Sequence, residues 1–512
     1  MSAIPINVVE LALAGNAMVR GYNEAMKNII DSLDLGNSVA EFDTALEHYF
    51  VETEPFRSLF KNERDVIAGD KGTGKTAIFR ILQKRYRQIP ELKGVEIITA
   101  FNPSGNPVFQ RLVQEHALTE GQYRSVWKAY VLSLVGNWAL NIAGENISDS
   151  FKALHELLNR SGLRVDDDTP QTIFGKLINS FRRAFNPQSA EVGFTFSETG
   201  IPIVTPKVEF GANEVKSEEV SHEDALRLLD GCLGELGVDA WVVLDRLDEA
   251  FQGFPDIEIP ALRALLRTYL DMVEFDHIRL KLFVRRDLFR KVIGDGFVNL
   301  THVNARKKEI IWDEDDLLNL LCTRIRESGD FLKSIGAENS SNEEILKLIL
   351  PAQVDIGEKR PTTWNWIMSR IRDGNHVKPP RNLIDLITKA KEAQLRREDR
   401  EARNYEVGLP VIESDSLKRA LSRLSEERVE DTLLAEAGDA VGLIEKFKNQ
   451  KSEHNRVSLK QLLDVDGDEL DYAIRRLEEI GFLEETGQTF KVPMLYRDGM
   501  NMVQGKAFEV TG

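Results

Sequence analysis

The stretch DVIAGDKGTGKTAIFRILQKRY (65–86) constrains the chain more than any other. A short apolar run enters a glycine-rich turn, and an amphipathic segment leaves it. Gly69, Gly72, Gly74, Lys75 and Thr76 fit the GxxxxGK[ST] spacing in the strand-loop-helix setting that gives this pattern its meaning. Glycines let backbone N–H groups wrap around phosphate oxygens where a Cβ would intrude, and a helix N-terminus adds a favourable dipole. Lys75 is placed to reach the β- and γ-phosphates of a nucleotide, and the Thr76 hydroxyl to take a coordination position on Mg²⁺. The plain alternative is a glycine-rich turn with an exposed lysine, which leaves a second motif unexplained.

That second motif is WVVLDRLDEAF (241–251), where an apolar run ends in three carboxylates within five positions. Asp245, at the end of the run, is the candidate metal carboxylate opposite Thr76. Asp248 and Glu249 follow just past the strand, where a carboxylate can polarise a water aligned with the γ-phosphate. Glu249 is the first choice for the base, with Asp248 sharing the work or holding metal. A solvated acidic loop is the competing reading.

Further apolar runs at DVIA (65–68), VEIITAF (95–101), AWVVL (240–244) and IRLKLFV (278–284) alternate with helical patterns, which predicts a mostly parallel sheet covered on both faces. The long gap before AWVVL holds an apolar helix, QYRSVWKAYVLSLVGNWAL, and then AEVGFTFSETGIPIVTPKVEF (190–210). Its alternating halves meet at Glu198-Thr199-Gly200 and read as an inserted β-hairpin. Residues 1–50 read as a helical lead-in whose second amphipathic segment is EFDTALEHYFV. The expected domains are therefore a lead-in (1–50), an α/β P-loop core (51–315, with the hairpin insert near 185–215), a helical lid (316–405), a linker (406–439) and a last unit (440–512). Within the lid, KEAQLRREDREAR (391–403) reads as a solvated charged helix whose signs nearly cancel.

Arginines fall at informative places. Arg285 and Arg286 follow IRLKLFV, where a cation can sense the γ-phosphate, serve a neighbouring subunit's nucleotide, or simply neutralise acidic neighbours. Arg381 begins a helix after Pro379-Pro380 and either closes over phosphates from the lid or packs. The last unit, VSLKQLLDVDGDELDYAIRRLEEIGFLEETGQTFKVP (457–493), predicts a short helix, a turn at Asp466-Gly467, a longer helix and a two-stranded wing. This winged-helix pattern commonly presents its second helix to DNA. Here Asp468, Glu469, Asp471, Glu478 and Glu479 face Arg475 and Arg476, so a protein-contact or packing role is favoured.

Charge and composition narrow the function further. With 83 acidic and 66 basic side chains, the chain carries a formal charge of -17, which repels polyanions at long range. No apolar run reaches the length of a membrane span, the N-terminus lacks a basic signal region, and Cys232 and Cys322 stand without metal-ligand spacing. A cytoplasmic protein with two core thiols and no membrane association is expected.

Taken with LGNSVAEFD, HYFVETEPF, LFVRRDLF and IIWDEDDLLNLLCTRI, these motifs resemble bacterial P-loop ATPases of the AAA+/STAND division. Their DxxDE spacing is similar to that of NACHT-type ATPases. The likeness spans most of residues 35–390, and some relatives in that division sit among phage-defence genes. It implies ATP and Mg²⁺ as ligands, nucleotide contacts from Gly69, Gly74, Lys75 and Thr76, metal at Asp245 and catalysis by Glu249. Arg246 departs from the pattern, since a small or acidic residue often follows the metal aspartate. The LSGGQ-like signature that an ABC-type ATPase needs is absent from the sequence. The expectation is a homo-oligomeric ATP-driven switch acting on a separate effector protein. The alternatives are a DNA-directed loader of the replication-initiator type, disfavoured by charge, and an ATP-binding scaffold with negligible turnover, disfavoured by the intact carboxylate set.

Overall fold

The computed structural model of the chain describes residues 29–512 except 102–117, 145–147, 166–168, 171, 175, 178–199, 204–217, 248–254, 295, 402, 404–408 and 509–512. The chain divides into two units. One comprises Glu52–Asp70 and Lys75–Ile310, and the other Met1–Val51, Lys71–Gly74 and Ile311–Gly512.

The first unit is α/β. Its strands are β1 (Val66–Gly69), β2 (Val95–Phe101), β3 (Gly200–Ile203), β4 (Glu218–Ser221), β5 (Asp239–Leu244), β6 (Ile278–Arg285) and β7 (Lys307–Glu309). Five of them form a parallel sheet in the order β2-β5-β6-β1-β7. Every residue of β1 is buried, as a strand covered on both faces requires. The helices Lys75–Arg85, Glu120–Ala143, His222–Leu236 and Pro255–Met272 belong to the same unit. In the 24-residue helix Glu120–Ala143 the Thr119/Gln122 capping box fixes the start, and Trp127 and Tyr130 are fully buried. Burying an indole of this size removes about 200 Å² from water, worth roughly 5 kcal/mol, and the Trp127 Nε1–H donates to the Ala261 carbonyl at 2.9 Å so that no donor is stranded.

The strand order fixes where chemistry can occur. β6 lies between β1 and β5, so its C-terminal tip, Arg285, stands between the glycine-rich loop and Asp245. At the opposite end of the sheet a buried charge cluster closes the core. Asp65, 2% exposed, accepts from Lys281 Nζ at 2.6 Å, Arg306 Nε at 2.8 Å and the Tyr269 hydroxyl at 3.0 Å.

The second unit joins the helices Glu314–Glu327, Asn342–Ile349, Thr363–Arg370, Pro380–Glu398 and Ser414–Arg428 to a winged helix. The latter has β8 (Lys451–Asn455), helices Arg456–Leu463 and Gly467–Glu479, β9 (Glu484–Thr486), β10 (Thr489–Lys491) and β11 (Val503–Lys506), with sheet order β11-β8-β10-β9. One continuous core runs from Leu317 through Leu383 and Leu424 to Leu459 and Tyr496. The two parts meet backbone to backbone: Gly374 N–H donates to Gly481 O at 2.7 Å, and a Cβ on Gly374 would lie 2.5 Å from Leu483 O. A Cβ on Gly499 would likewise fall 2.6 Å from Ser425 O. The lid and winged helix, read from sequence as separate domains, share this one unit.

Three local expectations change. Residues 41–49 form turns instead of a helix, because tertiary bonds claim the segment: Asp43 accepts from Arg324 Nη2 at 2.9 Å and from the Tyr49 hydroxyl. The charged helix ends at Glu398 and is buried on one side, where Gln394, 0% exposed, bonds Glu413 N and Ser416 Oγ. In the insert, Gly200–Ile203 pairs antiparallel with Glu218–Ser221, downstream of the expected hairpin, while that hairpin's first arm (190–199) lies outside the described residues. Both cysteines are core thiols, pushed up to about 11 by burial. Among the described residues no helix is long and apolar enough to cross a membrane.

Candidate nucleotide site

β1 ends at Gly69 and the helix Lys75–Arg85 begins after five intervening residues, so the turn between them must reverse within 70–74. Gly72 at φ 76° and Gly74 at φ 101° make that reversal in left-handed backbone that other residues adopt at a cost. At Gly74 an added Cβ would meet nothing within 4 Å, so the backbone angle alone demands glycine there. Lys75 folds its ammonium over the loop and donates to the carbonyls of Gly69 at 2.9 Å and Asp70 at 3.0 Å. Thr76 follows in the first turn of the helix, half-buried.

Asp245 is the first residue past β5 and is 1% exposed. Register places it relative to the loop: Leu244 pairs with Leu282, and Leu282 with Val66. Asp245 thus stands one residue, and Gly69 three, beyond that common level. Two strand spacings and two residue rises put their Cα atoms about 12 Å apart, a gap that a threonine hydroxyl and a carboxylate can enter from opposite sides. Those two are hard oxygen donors, and Mg²⁺ is commonly held by few carboxylates plus substrate phosphates, so the set fits that ion. Among the described residues there is no denser cluster of His, Cys, Asp or Glu for a metal.

Arg246, the residue that departs from the family pattern, adopts φ 55°, and Leu247 after it is buried at 1% exposure. This kink turns the chain off the strand end. Asp248 and Glu249 lie outside the described residues.

The two arginines at the β6 tip have partners within the chain. Arg285 grips Asp287 through a two-pronged contact, Nε to Oδ1 at 3.0 Å and Nη2 to Oδ2 at 2.8 Å. Burial pushes the Asp287 carboxyl up, but the Arg285 charge and hydrogen bonds outweigh it and hold the group below its ordinary value. Arg286 pairs with Asp70 of the glycine-rich loop at 2.8 Å. There burial wins, and Asp70 is raised despite Arg286 and Lys75. With side chains 20% and 19% exposed, neither arginine is a plain surface charge. Arg290, one turn later, is exposed, whereas Arg306 is committed to Asp65 at the far end of the sheet.

In the second unit, Arg381 sits in the first turn of Pro380–Glu398 with its Cβ 3.1 Å from where a Gly72 Cβ would be. The same loop tip has neighbours to which the sequence assigns no role. Thr73 O accepts from Trp312 Nε1 at 2.8 Å, and Lys71 pairs with Glu436. Asp70 as a partner for Arg286 was also missed, since it occupies an unconstrained position of the loop pattern. The helix Gly467–Glu479 pairs part of its charge within its own unit: Arg476 bonds Asp439 at 2.9 Å, and Asp471 pairs with Arg456.

No family model matches the chain, and no curated protein matches it. Among solved structures, the Walker-type ATPase PABY2304 of Pyrococcus abyssi aligns over 92% of this chain and 100% of its own, at 11% identity and TM-score 0.38. The Aeropyrum pernix ORC1 protein, solved in complex with DNA, covers 91% and 96% at 12% identity and TM-score 0.36. The Aeropyrum pernix ORC2 protein, solved as ADPNP-ADP complexes, covers 90% and 97% at 12% and 0.38. Scores this low carry no argument, and the site is read from its own residues.

Proposed function

We propose that the chain binds ATP with Mg²⁺ and hydrolyses it, and that it works as a homo-oligomeric switch regulating a separate effector protein in bacterial anti-phage defence. The observation that carries the ATPase reading is the juxtaposition in one parallel sheet of the Gly69–Thr76 loop, the Arg285 tip and the buried Asp245. The loop N–H groups and Lys75 hold the phosphates, Thr76 and Asp245 hold the cation, and Glu249, with Asp248 beside it, takes the proton of the attacking water. Bound Mg²⁺ supplies charge neutralisation on the phosphates. Arg285 and Arg286 exchange their carboxylate partners for phosphate oxygens, which guanidinium recognises with the same fork geometry. The switch reading draws on the motif resemblance and on a winged helix in which Arg456 and Arg476 are paired with acids of its own unit. That pairing weighs against the DNA-loader alternative. The test is phosphate release by the purified chain and by Lys75→Ala and Asp245→Asn, with a pull-down from the native host under ATP and under ADP. Parental turnover in both variants ends the ATPase reading, and identical captures under the two nucleotides end the switch reading.

A further inference from the structure

The tip of the phosphate loop, Lys71–Gly74, packs with Ile311–Gly512 as part of a single unit, and each of its first three residues is fixed by a different partner there. Thr73, 2% exposed, has its carbonyl bonded by the Trp312 indole N–H at 2.8 Å. Gly72, at φ 76°, lies against Arg381 and Pro379 so closely that a Cβ would come within 3.1 Å and 3.3 Å of theirs. Lys71 forms an ion pair with Glu436 and reaches the Asp431 carbonyl at 3.4 Å.

A phosphate loop binds through inward N–H groups, so its carbonyls and side chains must be held outward by something else. Pinning them before the ligand arrives removes the ordering cost from the binding step. We infer that Trp312 and Glu436 are positioning residues for nucleotide binding, which act by holding the loop tip in its phosphate-accepting conformation. The inference rests on the nucleotide reading of this loop and adds two residues that lie 239 and 365 positions from the segments they hold. Glu436 lies in no motif, and the IIWDEDDLLNLLCTRI stretch that holds Trp312 assigns it no role. Because they shape the loop and do not touch the reacting water, their loss is expected in affinity and KM, with kcat nearly unchanged.

Trp312→Phe keeps a ring but removes the donor, and a hydrogen bond of this kind predicts about a fivefold weaker ATP affinity. The Lys71–Glu436 pair is partly exposed, with side chains 39% and 22% accessible, so Glu436→Lys alone should weaken binding about two- to fivefold. The charge-exchanged double variant Lys71→Glu/Glu436→Lys should recover most of that loss, which a merely destabilised loop would not do. The experiment measures fluorescent ATP-analogue affinity, KM and kcat on the full chain, together with amide hydrogen exchange of residues 70–76 without nucleotide. Faster loop exchange in the single variants, recovery in the double, and a rise in KM at constant kcat are the expected results. Parental exchange rates and affinities in Trp312→Phe and Glu436→Lys overturn the inference, as does a double variant whose losses simply add. A parental chain that binds no nucleotide overturns the ATPase reading instead, while the exchange measurement still decides whether the two residues hold the loop.

Discussion

Asp65→Asn should destabilise the α/β unit by about 3–5 kcal/mol at pH 7, because it removes one partner of a buried ion pair and leaves the other charge behind. The stranded group is Lys281, 0% exposed, whose ammonium would keep Asn62 Oδ1 at 2.6 Å, Arg64 O at 3.1 Å and the face of the Trp241 ring at 3.9 Å, but no counter-charge. Arg306 is better placed, since its side chain is 34% exposed and water can replace the carboxylate. The size of the loss depends on pH in a direction fixed by Lys281. Burial lowers its pKa to about 8, partly opposed by the Asp65 charge, so removing that charge lowers it further. The unfolded lysine holds its proton to about 10.4, so the folded state of either protein binds fewer protons above its own lower pKa and gains stability as pH rises there. The variant starts that gain earlier. One pKa unit is 1.36 kcal/mol, so for each unit by which the variant lysine lies lower the deficit should shrink by about 1 kcal/mol between pH 7 and pH 9.5, where the parental lysine is also neutral. The assay is urea-dependent hydrogen exchange at the β1 and β6 amides, which open only with the whole sheet. A deficit below 1 kcal/mol, or one equal at both pH values, would refute the buried-charge argument.

Other perturbations test the site. Lys75→Ala should abolish binding of a fluorescent ATP analogue, whereas Glu249→Gln should retain ATP and fail to release phosphate; turnover at the parental rate in the latter assigns the base to Asp248. Full-length protein titrated with labelled duplex should show no salt-sensitive affinity, and tight binding that weakens steeply with added salt would revive the DNA-loader reading. If sites are shared between subunits, mixing Lys75→Ala with Arg290→Ala, each inactive alone, should restore some ATPase activity, because one supplies the exposed arginine and the other the loop. A monomer by light scattering at micromolar concentration with ATP and Mg²⁺, turning over normally, removes that arrangement. Arg246→Val should lower the melting temperature by several degrees more than Arg246→Gly, since glycine accepts φ 55° freely and a β-branched residue does not.

What the sequence discloses follows the range of the forces involved. The strands β1, β2, β5 and β6 are written as apolar runs, and the loop between β1 and its helix as glycine spacing, so both are legible within twenty residues. β7 (KKE), β8 (KSEHN) and β11 (VQGK) carry no such run, because they are short and largely polar, and β7 and β11 lie at sheet edges. The segment 41–49 has a helical pattern that lost to a salt bridge with Arg324, 281 residues away. The same distinction holds at the site: the candidate phosphate and metal residues are read from local spacing, whereas the partners of Asp70, Lys71 and Thr73 are set by tertiary approach.

The glycines at 374, 481 and 499 alter how the winged helix should be understood. A module that reads DNA on a flexible linker needs freedom from its neighbours, and one packed through backbone contacts has none. Gly374 and Gly499 admit carbonyls at distances no Cβ tolerates, so any larger residue would have to push the winged helix off the lid helices and open a shared core. Arg372 braces the same seam through Glu484 at 3.1 Å, and Arg428 crosses from Ser414–Arg428 to Asn382 at 2.8 Å, next to Arg381. Arg381 thereby belongs to the same packed unit as the winged helix, and that unit also includes the loop tip at Gly72.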